Sequence, residues 1–158
     1  DKPAIVVQQG LIELSAGNNE AGRDFMREAF QLEPENIEAR QFYAASLFYT
    51  GSSSEAIALV ENDRQLAQFA ASDFVLSAAN DAGALAFVGE LFDIRIERDP
   101  SNPQNWASKA FIYYQAGSTS EAIATLEAAA ASVPSFAPTA QCFADNIRNG
   151  ENPQAGCQ

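Results

Sequence analysis

The chain has 158 residues with 9 Lys+Arg against 21 Asp+Glu, a net charge of −12, 47% hydrophobic residues, two cysteines and no histidine. That suits a single folded unit and not a disordered acidic tail, and the missing histidine removes the commonest general base, the usual activator of a Ser or Cys nucleophile, and the commonest zinc ligand. The nine bases are scattered, which disfavours nucleic acid and anionic membrane surfaces, and no run approaches the roughly 18 apolar residues that span a bilayer.

Self-similarity organises the chain. Glycines at 17, 51, 83 and 117 step by 34, 32 and 34, each followed by a helical run. Three of the runs end at Pro34, Pro100 and Pro134, where proline stops one helix and suits the first turn of the next. The spacing predicts four helix pairs, over about 3–36, 37–68, 69–102 and 103–136, then a closing helix over 137–148 and a tail over 151–158, with 1–150 as one unit. That gives about nine helices.

In the first pair, Gly10, Gly17, Ala29 and Pro34 fit the pattern, while Glu13 and Gly22 depart from it. The β-branched run Ile5-Val6-Val7 is open between helix, strand and extended arm. The second pair carries Tyr43, Ala44, Leu47, Gly51 and Ala56, with Ser52–Glu55 (SSSE) as a capping box. It lacks the closing proline and two residues. The third keeps Gly83, Phe92 and Pro100, with Val88 where alanine is usual. The fourth is the most complete. Trp106, Ala110 and Tyr113 share one helical face, and Ala122, Leu126 and Ala129 another. Gly117 permits the turn between them, and Ser118–Glu121 (STSE) reads as a second capping box. Ala140, Phe143, Ala144 and Ile147 then put one apolar face on the closing helix.

The fourth unit, with Trp106, Ala110, Tyr113, Gly117, Ala122, Leu126, Ala129 and Pro134, resembles a tetratricopeptide repeat. Lys109 departs from the family's leucine. The resemblance implies an all-α fold, an α-solenoid of four repeats plus a C-terminal capping helix wound as a right-handed superhelix. Segments EARQFYAASLFYTG, LFDIRIERDPSNPQNW and PSFAPTAQCFADNIRNGENP further resemble the C-terminal tetratricopeptide region of bacterial O-antigen-ligase-type envelope proteins. That resemblance implies a bacterial envelope or outside location and carries no catalytic residue onto this chain.

In the family, the first helix of each pair lines a concave groove. The corresponding positions include Leu11 and Leu14, then Ala45, Phe48 and Tyr49, then Phe111 and Tyr114, with Asp73, Ser77, Asn80 and Asp81 between. The groove lacks the Lys and Arg that clamp a peptide carboxylate, so an acidic tail is excluded as ligand. An apolar segment, a sugar stacked on Tyr49 or Tyr114, or simple packing between repeats remain open. The helix ALAFVGELFDIRIE is apolar nearly all round, leaving Phe87, Leu91 and Ile94 on the side that is usually wet. Either the shortened second repeat covers them or another subunit does. The apolar start at Ile5, Val6 and Val7 has no polar cap, which favours docking on a neighbouring copy by a heterologous contact that closes a ring or propagates a filament.

No chemical motif survives inspection. Gly17–Gly22 (GNNEAG) lacks the Lys-Ser/Thr of a phosphate loop, and Asp99–Asn105 lacks the acids of a calcium loop, its Asn102 reading as a helix N-cap. Cys142 and Cys157 stand 15 apart. A disulfide within one chain would close a loop of about 16 residues, worth about 3 kcal/mol in loop-closure entropy. Pairing between chains and two free thiols are the alternatives. The cysteines favour an extracytoplasmic setting, and the start at Asp1 reads as a processed chain or a trimmed fragment. We therefore expect a non-enzymatic scaffold without metal or cofactor, self-associating through Ile5, Val6, Val7, Phe87, Leu91 and Ile94. The alternative is an adaptor whose groove takes an apolar segment of another envelope protein.

Overall fold

Glycine sets every inter-helix turn that the spacing marked. In the computed structural model, which describes residues 2–158, Gly17, Gly51, Gly83 and Gly117 have φ of 81°, 80°, 72° and 80°. Each closes its helix identically. The glycine N–H donates to the carbonyl three residues back, and the next N–H donates five back: Gly17 to Leu14 and Asn18 to Glu13, Gly51 to Phe48 and Ser52 to Leu47, Gly83 to Asn80 and Ala84 to Ala79, Gly117 to Tyr114 and Ser118 to Tyr113. This is the left-handed C-terminal cap that only glycine adopts without strain. A fifth copy lies at Gly150 (φ 72°), with Gly150 donating to Ile147 and Glu151 to Asn146. The closing helix thus ends as the first helix of a fifth unit would, a periodicity present in the sequence at 33 residues past Gly117.

The fold is all-helical, with ten α-helices and no strand among the described residues: α1 (Lys2–Ser15), α2 (Asn19–Leu32), α3 (Ile37–Tyr49), α4 (Ser53–Ala58), α5 (Asp63–Ala70), α6 (Asp73–Asp81), α7 (Leu85–Arg98), α8 (Pro103–Gln115), α9 (Thr119–Ser132) and α10 (Ala137–Arg148). The Ile5-Val6-Val7 run is helix, neither strand nor extended arm. Packing outweighs the modest β preference of its residues, because Val6 is buried with Ala29 and Ala39.

The tenth helix arises where the second pair is short. The expected second helix of that pair breaks after Ala58, and α5 runs across the expected boundary at 68/69. Arg40 holds the break open. Its buried guanidinium donates to the Leu59 carbonyl at 2.7 Å and the Pro34 carbonyl at 3.0 Å, and lies over the Phe30 ring. α5 then restarts on a side-chain cap: Asn62 accepts from the Gln65 N–H while Gln65 accepts from the Glu61 N–H.

The two expected capping boxes do not form. Ser52 and Ser118 stand at the N-caps of α4 and α9 but make no side-chain cap bond. Both residues are already committed to the preceding glycine turn, which fixes them at ψ 47° and 65°, outside the extended region from which a cap side chain reaches forward. Where the N-cap is free of a glycine turn the cap forms, as at Asn36, Ser72 and Asn102, all in the extended region.

The chain divides into two compact units, Asp1–Leu91 and Phe92–Gln158, the boundary falling inside α7. In the first, α2 packs between α1 and α3, and α3 packs against α4 and α6. Its core includes Met26, Ala44, Leu47, Ala56, Phe69, Val75 and Val88. Close approach of α1 and α2 depends on two glycines: a Cβ on Gly22 would stand 2.6 Å from Leu14 Cγ, and one on Gly10 would stand 2.7 Å from Met26 Cε. This explains why Gly22 replaces the repeat's alanine.

In the second unit the faces read from sequence do pack. Ala110, Ala122, Leu126, Ala129, Ala140, Phe143, Ala144 and Ile147 form one buried cluster, with Trp106 and Tyr113 against it. Lys109 is accommodated by Asp93 at 2.5 Å, with its Nζ 5.8 Å from the Tyr113 ring centroid.

Gly22→Ala tests the close approach. Helix propensity alone would stabilise α2 by about 1 kcal/mol. Overpacking against the Leu14 branch reverses the sign, for a net loss of about 1–2 kcal/mol in urea denaturation. A raised midpoint would show that α1 and α2 are not held at contact by the glycine.

Candidate functional site

The residues expected to join copies of the chain part company in the structure. On α1, Val6 is buried and Val7 half-buried, while Ile5 is 55% and Ile12 64% exposed, with Leu11 also outward. Ile5 and Ile12 are seven residues apart, so they stand on one helical face, turned away from the α1–α2 contact. Val6 and Val7 therefore leave the expected set, and Ile12 and Leu11 enter it.

The Phe87/Leu91/Ile94 stripe is corrected further. Leu91 is fully buried, Ile94 is half-buried, and the Phe87 ring packs against Phe48 at 6.0 Å and Phe69 at 6.5 Å. Phe48 lies within 37–68, so the shortened second repeat provides part of the cover, Phe69 at the end of α5 adds to it, and Phe87 and Leu91 need no second subunit. An all-round apolar helix is what a helix buried on two sides looks like.

The groove residues divide as well. Phe48 is 3% exposed and belongs to the core, whereas its neighbour Tyr49 is 45% exposed. A helix turns about 100° per residue, so the two could not share a wall. Ala45 is buried, Leu11 is exposed, and Leu14 is half-buried over Gly22. A pair not foreseen stands nearby in sequence. Phe42 of α3 stacks on Phe74 of α6 with centroids 4.9 Å apart, and Phe74 is partly exposed. Phe42 lies seven residues before Tyr49, so the helical period could have found it.

In the second unit, Phe111 and Tyr114 are half-buried. With Gln115 they form one wall of a cavity of about 290 Å³, and Asn152, Pro153 and Gln154 of the tail form the other. The tail is tied to α10. Cys142 and Cys157 of the same chain lie at disulfide distance, Cα to Cα 5.9 Å. The Asn146 amide donates to the carbonyls of Pro153 and Ala155, both at 2.9 Å, and Thr139 Oγ1 donates to the Gln158 carbonyl at 2.7 Å. A separate groove of about 550 Å³ runs between α9 and α10. Leu126, Ala130, Ala131, Ala140 and Ala144 line it, and Arg148 at its edge pairs with Glu127 and with Asp145.

Among the described residues no three Cys, Asp or Glu side chains are grouped to hold a metal ion, and no helix is long and apolar enough to cross a membrane. Tyr49→Ala should shift thermal stability by no more than about 0.5 kcal/mol, while Phe48→Ala should cost about 3–5 kcal/mol in the same assay. Equal losses would mean that both are core residues and that the first unit has no aromatic face at Tyr49. No family model matches this chain, and no curated protein does either.

Proposed function

We propose that this chain is a non-enzymatic scaffold of the tetratricopeptide α-solenoid type that acts outside the cytoplasm and associates head to tail with copies of itself. The observation that carries the proposal is the outward face of α1, where Ile5 and Ile12 stand exposed, with Leu11 exposed on the flank. Isolated apolar residues on a surface are ordinary, but Ile5 and Ile12, two turns apart on one face, with Leu11 exposed about 100° round the helix, favour a contact site. The shallow groove between α9 and α10, floored by small residues, offers room for a helix at the other end of the chain. Because the two surfaces differ, the contact is heterologous and builds a ring or a filament. The cysteine pair at disulfide distance supports an oxidising compartment, as does the resemblance of 134–153 to envelope proteins.

A second reading, an adaptor that receives an apolar segment of another envelope protein, is favoured by the exposed Tyr49 and Phe74 in the first unit. The two readings separate by mass. Light scattering should give growing mass with concentration for the native chain and monomers for Ile12→Asp or for Ala131→Arg alone. An equimolar mixture of the two variants should give dimers, because each retains one intact surface. A native chain that stays monomeric at high concentration would overturn self-association and leave the adaptor.

A further inference from the structure

The tail is bound where a ligand would bind. It is irregular, not helical, and folds as two short turns, with Ala155 N–H donating to the Asn152 carbonyl and Cys157 N–H to that of Gln154. Pro153 is buried, and Cys157 packs against the α8–α10 cluster. The Asn146 amide donates to two main-chain carbonyls and lies 3.3 Å from Cys157 Sγ, so its grip depends on the turns that bring these three groups together. Three such hydrogen bonds and one buried proline contribute less than ordering the segment costs. The covalent link to Cys142 makes up the difference.

We propose that the α8/α10 face under residues 151–158 is a binding surface for a short, turn-forming, proline-containing peptide, and that the Cys142–Cys157 bond keeps it filled with the chain's own tail. A dithiol opens it. One thiolate attacks one sulfur and displaces the other as a thiolate, and the reductant's second thiol then resolves the mixed disulfide. The products are two cysteine thiols and the reductant's disulfide, a transfer of two electrons and two protons. Both cysteines are half-buried, which leaves the bond open to attack. The released surface presents Phe111, Tyr114 and Asn146 to a partner segment of the same chemistry. This proposal uses the second unit alone and does not rest on association through α1.

The test is made on the full chain. Hydrogen exchange of residues 152–158 should accelerate about a hundredfold on full reduction with dithiothreitol, the size of the loop-closure effect for a ring of this length, while the amides of α8 and α9 keep their protection. In Cys157→Ser protein, whose Cys142 is free, the peptide ENPQAGC under reversible thiol exchange should form a mixed disulfide about tenfold more readily than its scrambled sequence. Asn146→Ala should remove that preference without changing α8 and α9 protection. Tail protection that survives reduction would overturn the proposal, because the bond would not be what holds the tail. Loss of α8 and α9 protection together with the tail would overturn it too, because the bond would then hold the fold. Equal capture of both peptides would overturn the recognition surface.

Discussion

The left-handed glycine cap is the constraint on which the structure depends. A chain that must reverse direction after each first helix needs one residue at positive φ and two backbone bonds that satisfy the last carbonyls. Gly17, Gly51, Gly83, Gly117 and Gly150 all provide this with the same pair of bonds. The cap fixes where the next helix begins, and so fixes which face it turns inward. It also decides the fate of the residue that follows it. Ser52 and Ser118 lose their capping role because the turn has already set their backbone.

Small residues then let the helices meet. Ala110, Ala122 and Ala129 are buried in the second unit, as are Ala44 and Ala56 in the first, while Gly10 and Gly22 serve where α1 and α2 run closest. Larger side chains fill the spaces so defined: Leu126 and Phe143 in one unit, Leu47 and Phe69 in the other. Such helices leave long faces to solvent. α1 turns Ile5 and Ile12 outward, and α10 turns one stripe to the tail and another to the groove with α9.

Sequence period made the second unit legible, because its packing is between neighbours along the chain. Ala110, Leu126, Ala140 and Ile147 each follow from helical spacing, whereas the spacing of Cys142 and Cys157 leaves their pairing open. What was not legible depends on contacts distant in sequence. The helix break after Ala58 is held by Arg40, which lies 19 residues before the Leu59 carbonyl it binds. The cover over Phe87 comes from Phe69 and Phe48, on helices that no local pattern sets beside it. Phe48 and Tyr49 show the limit most sharply: a one-residue step separates core from surface, and spacing rules with a tolerance of one residue cannot divide them. The Asn146 bonds that tie down the tail have no signature in the sequence beyond a single asparagine.

An electron micrograph of the oxidised chain at high concentration is the most direct test of a scaffold that builds itself from unlike ends. The account predicts rings or filaments with a regular repeat, lost in Ile12→Asp protein. Fields without assemblies, at concentrations where the native chain stays folded, would contradict it.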